Sequence, residues 1–185
     1  MSIPQSIADR FEIEALRGEL SDAVMMRDYD RAASLFTAAA AMRWPHIDKE
    51  FVGRDEIRAG IEWGQGLWEF FVQNVHPGTI RLNGDSAVGR AYVQEFGRMR
   101  DGGSHANHAV YHDRYQRTPD GWKFAERVYE VRYLDSTPLA GSPLPALPVP
   151  GGRNPRGGGP PPPPGGHPRA TRAGSRGWTT RGAHP

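Results

Sequence analysis

The chain has 185 residues, room for one domain or one domain with a tail. Residues 151–185 hold ten of its 23 glycines, eight of its 17 prolines, six arginines and no acid, a composition too poor in apolar side chains to build a core. Without them the formal charge falls from +2 to −4 (17 basic against 21 acidic residues), so the positive balance belongs to the tail and the folded part has no global bias towards nucleic acid. The absence of cysteine excludes a disulfide scaffold, a thiolate zinc site and a cysteine nucleophile. No apolar run approaches the ~18–20 residues of a membrane span. The first 30 residues alternate acids with apolar residues, unlike a signal peptide, and a cytoplasmic location is expected.

Helical periodicity comes first along the chain. Ile7, Phe11, Leu16, Leu20, Ala23 and Val24 recur at three- and four-residue spacing and predict one buried stripe. Ser6 followed by Asp9 reads as an N-cap with an acid in the first turn. A second short helix is predicted from Asp28–Asp30, carrying Ala33, Leu35 and Phe36. AAAAMRWP (38–45) reads as a strand because it is short and ends in Pro45. A third helix is predicted after Gly53, with Ile57, Ile61 and Trp63 on one side.

Strand signals follow. TIRLNGDSAVGRAYVQEFGRM (79–99) contains Asn83-Gly84, a dipeptide suited to a tight hairpin because both residues tolerate positive φ. HANHAVYHDRYQR and WKFAERVYEVRY are two more strand-like runs. They are joined by Thr118-Pro119-Asp120-Gly121, with proline and glycine at the second and fourth turn positions. The expected fold is α+β: a curved antiparallel sheet forming a cone, with three N-terminal helices packed on its concave face. The domain is expected over 1–137, followed by an extended proline-rich segment (138–150) and a disordered Gly/Pro/Arg-rich tail (151–185).

Five segments in this order and spacing carry a resemblance: RDYDRAASLFT (27–37), FVGRDEIRAGI (51–61), HPGTIRLNGDSAVGRAY (76–92), VYHDRY (110–115) and DGWKFAER (120–127). Together, over roughly residues 5–135, they resemble the SnoaL-like branch of the nuclear-transport-factor-2-like superfamily. That branch includes polyketide cyclases, scytalone dehydratase and bile acid 7α-dehydratase. The resemblance implies a site inside the cone, between the first helix and the concave sheet face. It matches the family's histidine to His76, its acid after the hairpin to Glu95, and its last-strand arginine to Arg132, or to Arg127 at a spacing one residue different. Dehydratases of this branch carry a tyrosine and an aspartate on the first helix, where this chain has Leu20 and Met25. The acid that often follows the second helix is replaced by Ala39.

On this basis His76 is expected to act as general base, since an imidazole with an ordinary pKa near ~6.5 accepts protons near neutral pH. Glu95 is its expected orienting partner. Strand parity supports an inward Glu95: Ala91, Val93 and Gly97 then share its face, and Arg90, Gln94 and Arg98 face out. Arg132 or Tyr111 is expected to stabilise developing negative charge. Simpler roles stand beside these: His76 bonded to backbone with Glu95 in solvent, and Tyr111 as a cross-strand packing residue. Leu20, Met25, Trp44, Trp63, Trp68, Ala91, Val93 and Asn107 are expected to line the ligand cavity, the tryptophans otherwise filling the core. His105, His108 and His112 tempt a metal reading, but on a strand His108 and His112 stand ~13 Å apart, too far to share an ion.

The expected function is cofactor-free acid–base chemistry of lyase, isomerase or cyclase type on a small hydrophobic carbonyl or hydroxyl compound. The alternative is a non-catalytic module of the same fold that binds a hydrophobic ligand or supports assembly. The expected partner is a small hydrophobic molecule, with no metal, no membrane and no nucleic acid. Relatives assemble through the outer sheet face, which implies a homodimer or homotrimer.

Overall fold

In the computed structural model, which describes residues 4–144, the chain opens with helix α1 (Gln5–Met25). Its buried positions are Ile13, Leu16, Leu20 and Ala23, joined by Asp9 and Arg17. The stripe is therefore rotated at its start from the one the apolar residues predict, and Phe11 is left 71% exposed. Two charged residues hold the inward positions because partners wait there. Asp9 accepts from Trp122 Nε1 at 3.2 Å and from Gln5 at 2.9 Å, and faces Arg117 at 2.7 Å. Consequently Asp9 is a buried anchor and not a first-turn acid, and the N-cap is Pro4 instead of Ser6.

Helix α2 (Tyr29–Ser34) is capped by the Asp28 side chain, which accepts the Arg31 N–H at 3.2 Å. It ends before Phe36, which opens strand β1 (Phe36–Trp44). A 3-10 turn (Pro45–Ile47) leads into the short β2 (Lys49–Val52), which the sequence did not signal. Gly53, at φ 86°, starts helix α3 (Arg54–Gly66), which buries Ile57 and Ile61 and leaves Trp63 half exposed.

Four long strands form a meander: β3 (Trp68–Asn83), β4 (Ser86–Met99), β5 (Ser104–Thr118) and β6 (Gly121–Asp135). Asn83 pairs with Ser86, so the hairpin loop is Gly84-Asp85, one residue later than expected, with Gly84 at φ 56°. Thr118 pairs with Gly121 around Pro119-Asp120, as the turn chemistry predicts. The sheet order is β2-β1-β6-β5-β4-β3. Every pairing is antiparallel except β1 with β6, which is parallel, so the curved sheet is mixed and not purely antiparallel. The meander returns β6 running in the same direction as β1, and their exposed edges meet.

The main core lies between the helices and the inner sheet face, around Ile13, Leu16, Phe36, Ile57, Tyr115 and Phe124. Each such buried aliphatic or aromatic side chain contributes ~1.5–3 kcal/mol. A smaller cluster of Ala91, Val93, Ala109, Tyr111 and Tyr129 sits further along the same face. After β6 the chain has no regular structure up to residue 144, yet it is tied down. Arg98 Nη2 donates to the carbonyls of Leu139 and Gly141 at 2.7 Å each, and the Leu139 N–H donates to Ser104 Oγ at 3.1 Å. The remainder of the expected proline-rich segment and the expected tail over 151–185 lie outside the described residues. Among those described, no helix is long and apolar enough to cross a membrane.

Candidate active site

Strand β3 begins at Trp68, well before the expected start at Thr79, and this extra length shapes the site. Its first half pairs Phe71 with Gly97, Gln73 with Glu95 and Val75 with Val93. Its second half pairs Ile80 with Gly89 and Leu82 with Ala87. Between them the register slips by one residue, from His76 opposite Tyr92 to Thr79 opposite Arg90. Such a bulge reverses the parity of the strand. From Phe71 to Val75 the odd-numbered residues face inward and from Ile80 to Leu82 the even-numbered ones do, while a second slip between Trp68 and Phe70 returns Trp68 to the inner face. Gln73 therefore points into the cone, while His76 is exposed beside Arg90, Tyr92, His108 and Arg132 on the outer face.

The inner face encloses a cavity of about 240 Å³. Its apolar wall includes Leu20 of α1, Ile61 and Trp63 of α3, Trp44 of β1, and Trp68 and Phe71 of β3. Trp44 and Trp63 stack with ring centroids 6.3 Å apart, and Trp44 meets Phe51 edge-on at 5.1 Å. At Gly97 an added Cβ would lie 2.5 Å from the Phe70 carbonyl oxygen and 2.9 Å from the Trp68 ring, so only glycine admits this indole to the wall.

The polar end gathers Glu95, Gln73, Asn107, Tyr111 and Tyr129. Gln73 Nε2 donates to Glu95 Oε1 at 2.7 Å and to the Tyr111 hydroxyl oxygen at 3.0 Å. Tyr129 donates its hydroxyl to Glu95 Oε2, and its oxygen faces Asn107 Nδ2 at 3.4 Å. Glu95 is the sole carboxylic acid among the described residues of the lining. Burial pushes its carboxyl above the ordinary range, and hydrogen bonds led by Tyr129 and Gln73 oppose that shift. Burial also raises the phenols of Tyr111 and Tyr129, with the Glu95 charge reinforcing it, so both are neutral donors at physiological pH. His46 stands edge-on to Tyr129 at 5.3 Å, and burial lowers its imidazole pKa.

Behind this group lies a buried ionic chain. Arg127 grips Asp113 through two bonds of 2.7 and 2.8 Å, Tyr115 donates to Asp113 Oδ2 at 2.7 Å, and Arg17 Nε donates to the Tyr115 oxygen at 2.7 Å. The Arg127 guanidinium also lies 3.8 Å from the Tyr111 ring centre, joining the chain to the cavity. Both charges are desolvated, and the bidentate geometry offsets that cost.

Seven of the anticipated residues meet in the cavity: Leu20, Trp44, Trp63, Trp68, Glu95, Asn107 and Tyr111. His76 and Arg132 do not; the expected His76–Glu95 dyad is split between the two faces of the sheet, and Arg127 is the last-strand arginine that reaches the cavity. Met25 is outside the lining, its Sδ accepting the Gln73 N–H at 3.2 Å. Ala91 and Val93 face inward as expected but are packed in the smaller core cluster instead of bounding the cavity. His105 faces the cavity beside Trp68, whereas His108 and His112 face outward, against Tyr133 and Glu130. The residues missed were Gln73, Tyr129 and His46. Alternation in FFVQNV and VYEVRY carried a signal for the first two, but only once the bulge and the true start of β3 were known.

The SnoaL-like domain family model matches residues 5–128. By sequence, no curated protein matches the chain. Among solved structures it is similar to a candidate aromatic ring hydroxylase from Novosphingobium aromaticivorans, 26% identical, with TM-score 0.66 over 74% of this chain and 96% of that one. In fold it is also similar to the hexachlorocyclohexane dehydrochlorinase LinA-type3 from Novosphingobium barchaimii, 23% identical, with TM-score 0.65 over 77% and 97% of the two chains. A candidate scytalone dehydratase from Novosphingobium aromaticivorans shares the fold at 18% identity, with TM-score 0.64 over 72% and 91%. Enzymes of lyase type thus stand among the structures that share this cone. With a family match spanning all three helices and most of the meander, the chain belongs to the SnoaL-like domain family of the nuclear-transport-factor-2-like superfamily.

Proposed function

We propose that the cavity is the active site of a cofactor-free acid–base enzyme of lyase, isomerase or cyclase type, acting on a small hydrophobic carbonyl or hydroxyl compound. The observation that carries this reading is Glu95: a buried carboxyl with raised pKa, facing an apolar cavity and flanked by two phenols. As carboxylate, Glu95 takes the proton from a carbon next to a substrate carbonyl. The Tyr111 oxygen accepts from Gln73 and its O–H faces Glu95; when Glu95 takes up the proton, that O–H turns to donate to the enolate oxygen as it forms. The Glu95 carboxylic acid then returns the proton, either to a different carbon, giving isomerisation, or to a departing hydroxyl, giving water and an alkene.

The test is carbon-bound hydrogen exchange in D2O, followed by NMR on a panel of cyclic ketones and β-hydroxy ketones. Wild-type protein should label or dehydrate at least one member, and a folded Glu95→Gln variant should not. A second reading, ligand binding without turnover, rests on α1, which brings only Leu20 and Val24 to the cavity and no acid or phenol. Thermal stabilisation by a panel member with neither exchange nor product would establish it in place of catalysis.

A further inference from the structure

The first half of β3 carries nearly the same side-chain chemistry on both of its faces. Phe70, Val72 and Asn74 point outward, and Phe71, Gln73 and Val75 point inward. Each face thus has two apolar side chains and one amide, so burial alone specifies this register weakly. In the second half Ile80 stands opposite Gly89. If that ladder ran on without a slip, Asn74 would stand opposite Glu95 and His76 opposite Val93, and His76 would face into the cone.

The bulge at Pro77-Gly78 separates the two registers, and two glycines and an arginine are fitted to it. At Gly78 an added Cβ would collide with the Arg90 carbonyl oxygen, so only glycine lets the extra residue fold against β4. At Gly89, on the inner face, an added Cβ would meet the Thr79 carbonyl oxygen at 2.5 Å and would also strike Arg17 Nη2. The Thr79 carbonyl therefore leans over the inner face across Gly89, away from the line of the ladder, and Arg17 Nη2 donates to it there at 3.1 Å. The Arg17 side chain is buried and anchored twice more, Nε donating to the Tyr115 oxygen at 2.7 Å and Nη1 to Glu14 at 3.0 Å. A charged donor held this firmly favours the strand conformation that tips the Thr79 carbonyl towards it.

We propose that Arg17 is a positioning residue for the cavity: by holding the Thr79 carbonyl it keeps the bulge at Pro77-Gly78, and through the bulge it sets Gln73 against Glu95 and leaves His76 outside. This deepens the reading of Glu95 as the base and rests on it only for the consequence in turnover, since the register is measured directly.

NMR of the isotopically labelled full chain tests the proposal through the contact between the α-hydrogens of Gln73 and Glu95. The Gln73 N–H is turned away to Met25 Sδ, so this pair is a non-hydrogen-bonded one, in which opposed backbones approach closely. Wild type should show that contact and none between Asn74 and Glu95. In Arg17→Met, of similar length but without donors, the Gln73–Glu95 contact should lose about half its intensity or more, and an Asn74–Glu95 contact should appear. Tyr115→Phe breaks the ionic chain but leaves the Thr79 carbonyl its donor, and should keep the wild-type contact. An undiminished Gln73–Glu95 contact in folded Arg17→Met overturns the proposal, as does its absence from wild type. An equal loss in Tyr115→Phe also overturns it, because the register would then depend on the chain behind the cavity. Should Arg17→Met not fold, Gly89→Ala takes its place: the methyl displaces Nη2 and leaves the charge, and an undiminished contact there overturns the proposal too. A register shift in Arg17→Met with no hydrogen exchange by wild type would instead remove the catalytic reading and leave this one standing.

Discussion

Gln73 and Glu95 sit directly opposite each other on β3 and β4, with Gln73 Nε2 2.7 Å from Glu95 Oε1 inside the cone. The carboxyl is thus held by a neutral amide, and no imidazole or other cation offsets its burial at that contact. The pKa of Glu95 lies above its ordinary 4.5 for this reason. The folded protein keeps a proton that the unfolded chain releases, so this group's contribution to stability is complete below about pH 4.5 and is lost as pH rises through the folded-state value. Chemical denaturation of wild type and Glu95→Gln between pH 4 and 8 should show the variant gaining on the wild type as pH increases. A difference that stays flat would mean that burial does not govern this carboxyl.

Tyr129 opposes the shift by donating to Glu95 Oε2. Tyr129→Phe removes that donor and leaves the ring in place. The midpoint of the pH–rate profile for hydrogen exchange should move to higher pH, and stability should drop by about 1 kcal/mol. A stability loss with an unmoved profile would assign Tyr129 a packing role alone.

Asp113 is buried between Arg127 and Tyr115, and removing its charge strands a guanidinium in the core. Asp113→Asn should therefore cost about 3 kcal/mol or more, read as a fall in the urea midpoint. A loss below about 1 kcal/mol would show that water reaches Arg127 in the native state.

His76 and Arg132 share the outer face with Tyr92 and His112, across the sheet from the cavity. His76→Ala and Arg132→Ala should each leave the melting temperature within ~2 °C of wild type and the hydrogen-exchange rate unaltered. A large rate loss in His76→Ala would contradict the strand parity described above.

Local chemistry made much of this molecule legible before any coordinates. The α1 periodicity, the short helix read from Asp28–Asp30, the glycine before α3 and the proline–glycine turn at residues 118–121 act within a few residues, and each element formed close to where those signals placed it. Glu95 was legible too, because small or apolar neighbours alternate with charged and polar ones along β4 and its parity is unbroken. Other features were set by partners distant in sequence. Asp9 and Arg17 are inside only because Trp122, Arg117 and Tyr115 receive them there.

The site turned on one residue of register. Counting back in twos from inward Ile80 and Leu82 would turn His76 into the cone. The bulge at Pro77-Gly78 reverses that count, sends His76 outside and puts Gln73 against Glu95. Sequence alone determined which residues alternate and which helices bury a stripe, because those periods are properties of the local backbone. Where β3 slips against β4, and hence which polar side chain meets the buried carboxyl, was decided only by pairing between strands, since neither strand carries that register by itself.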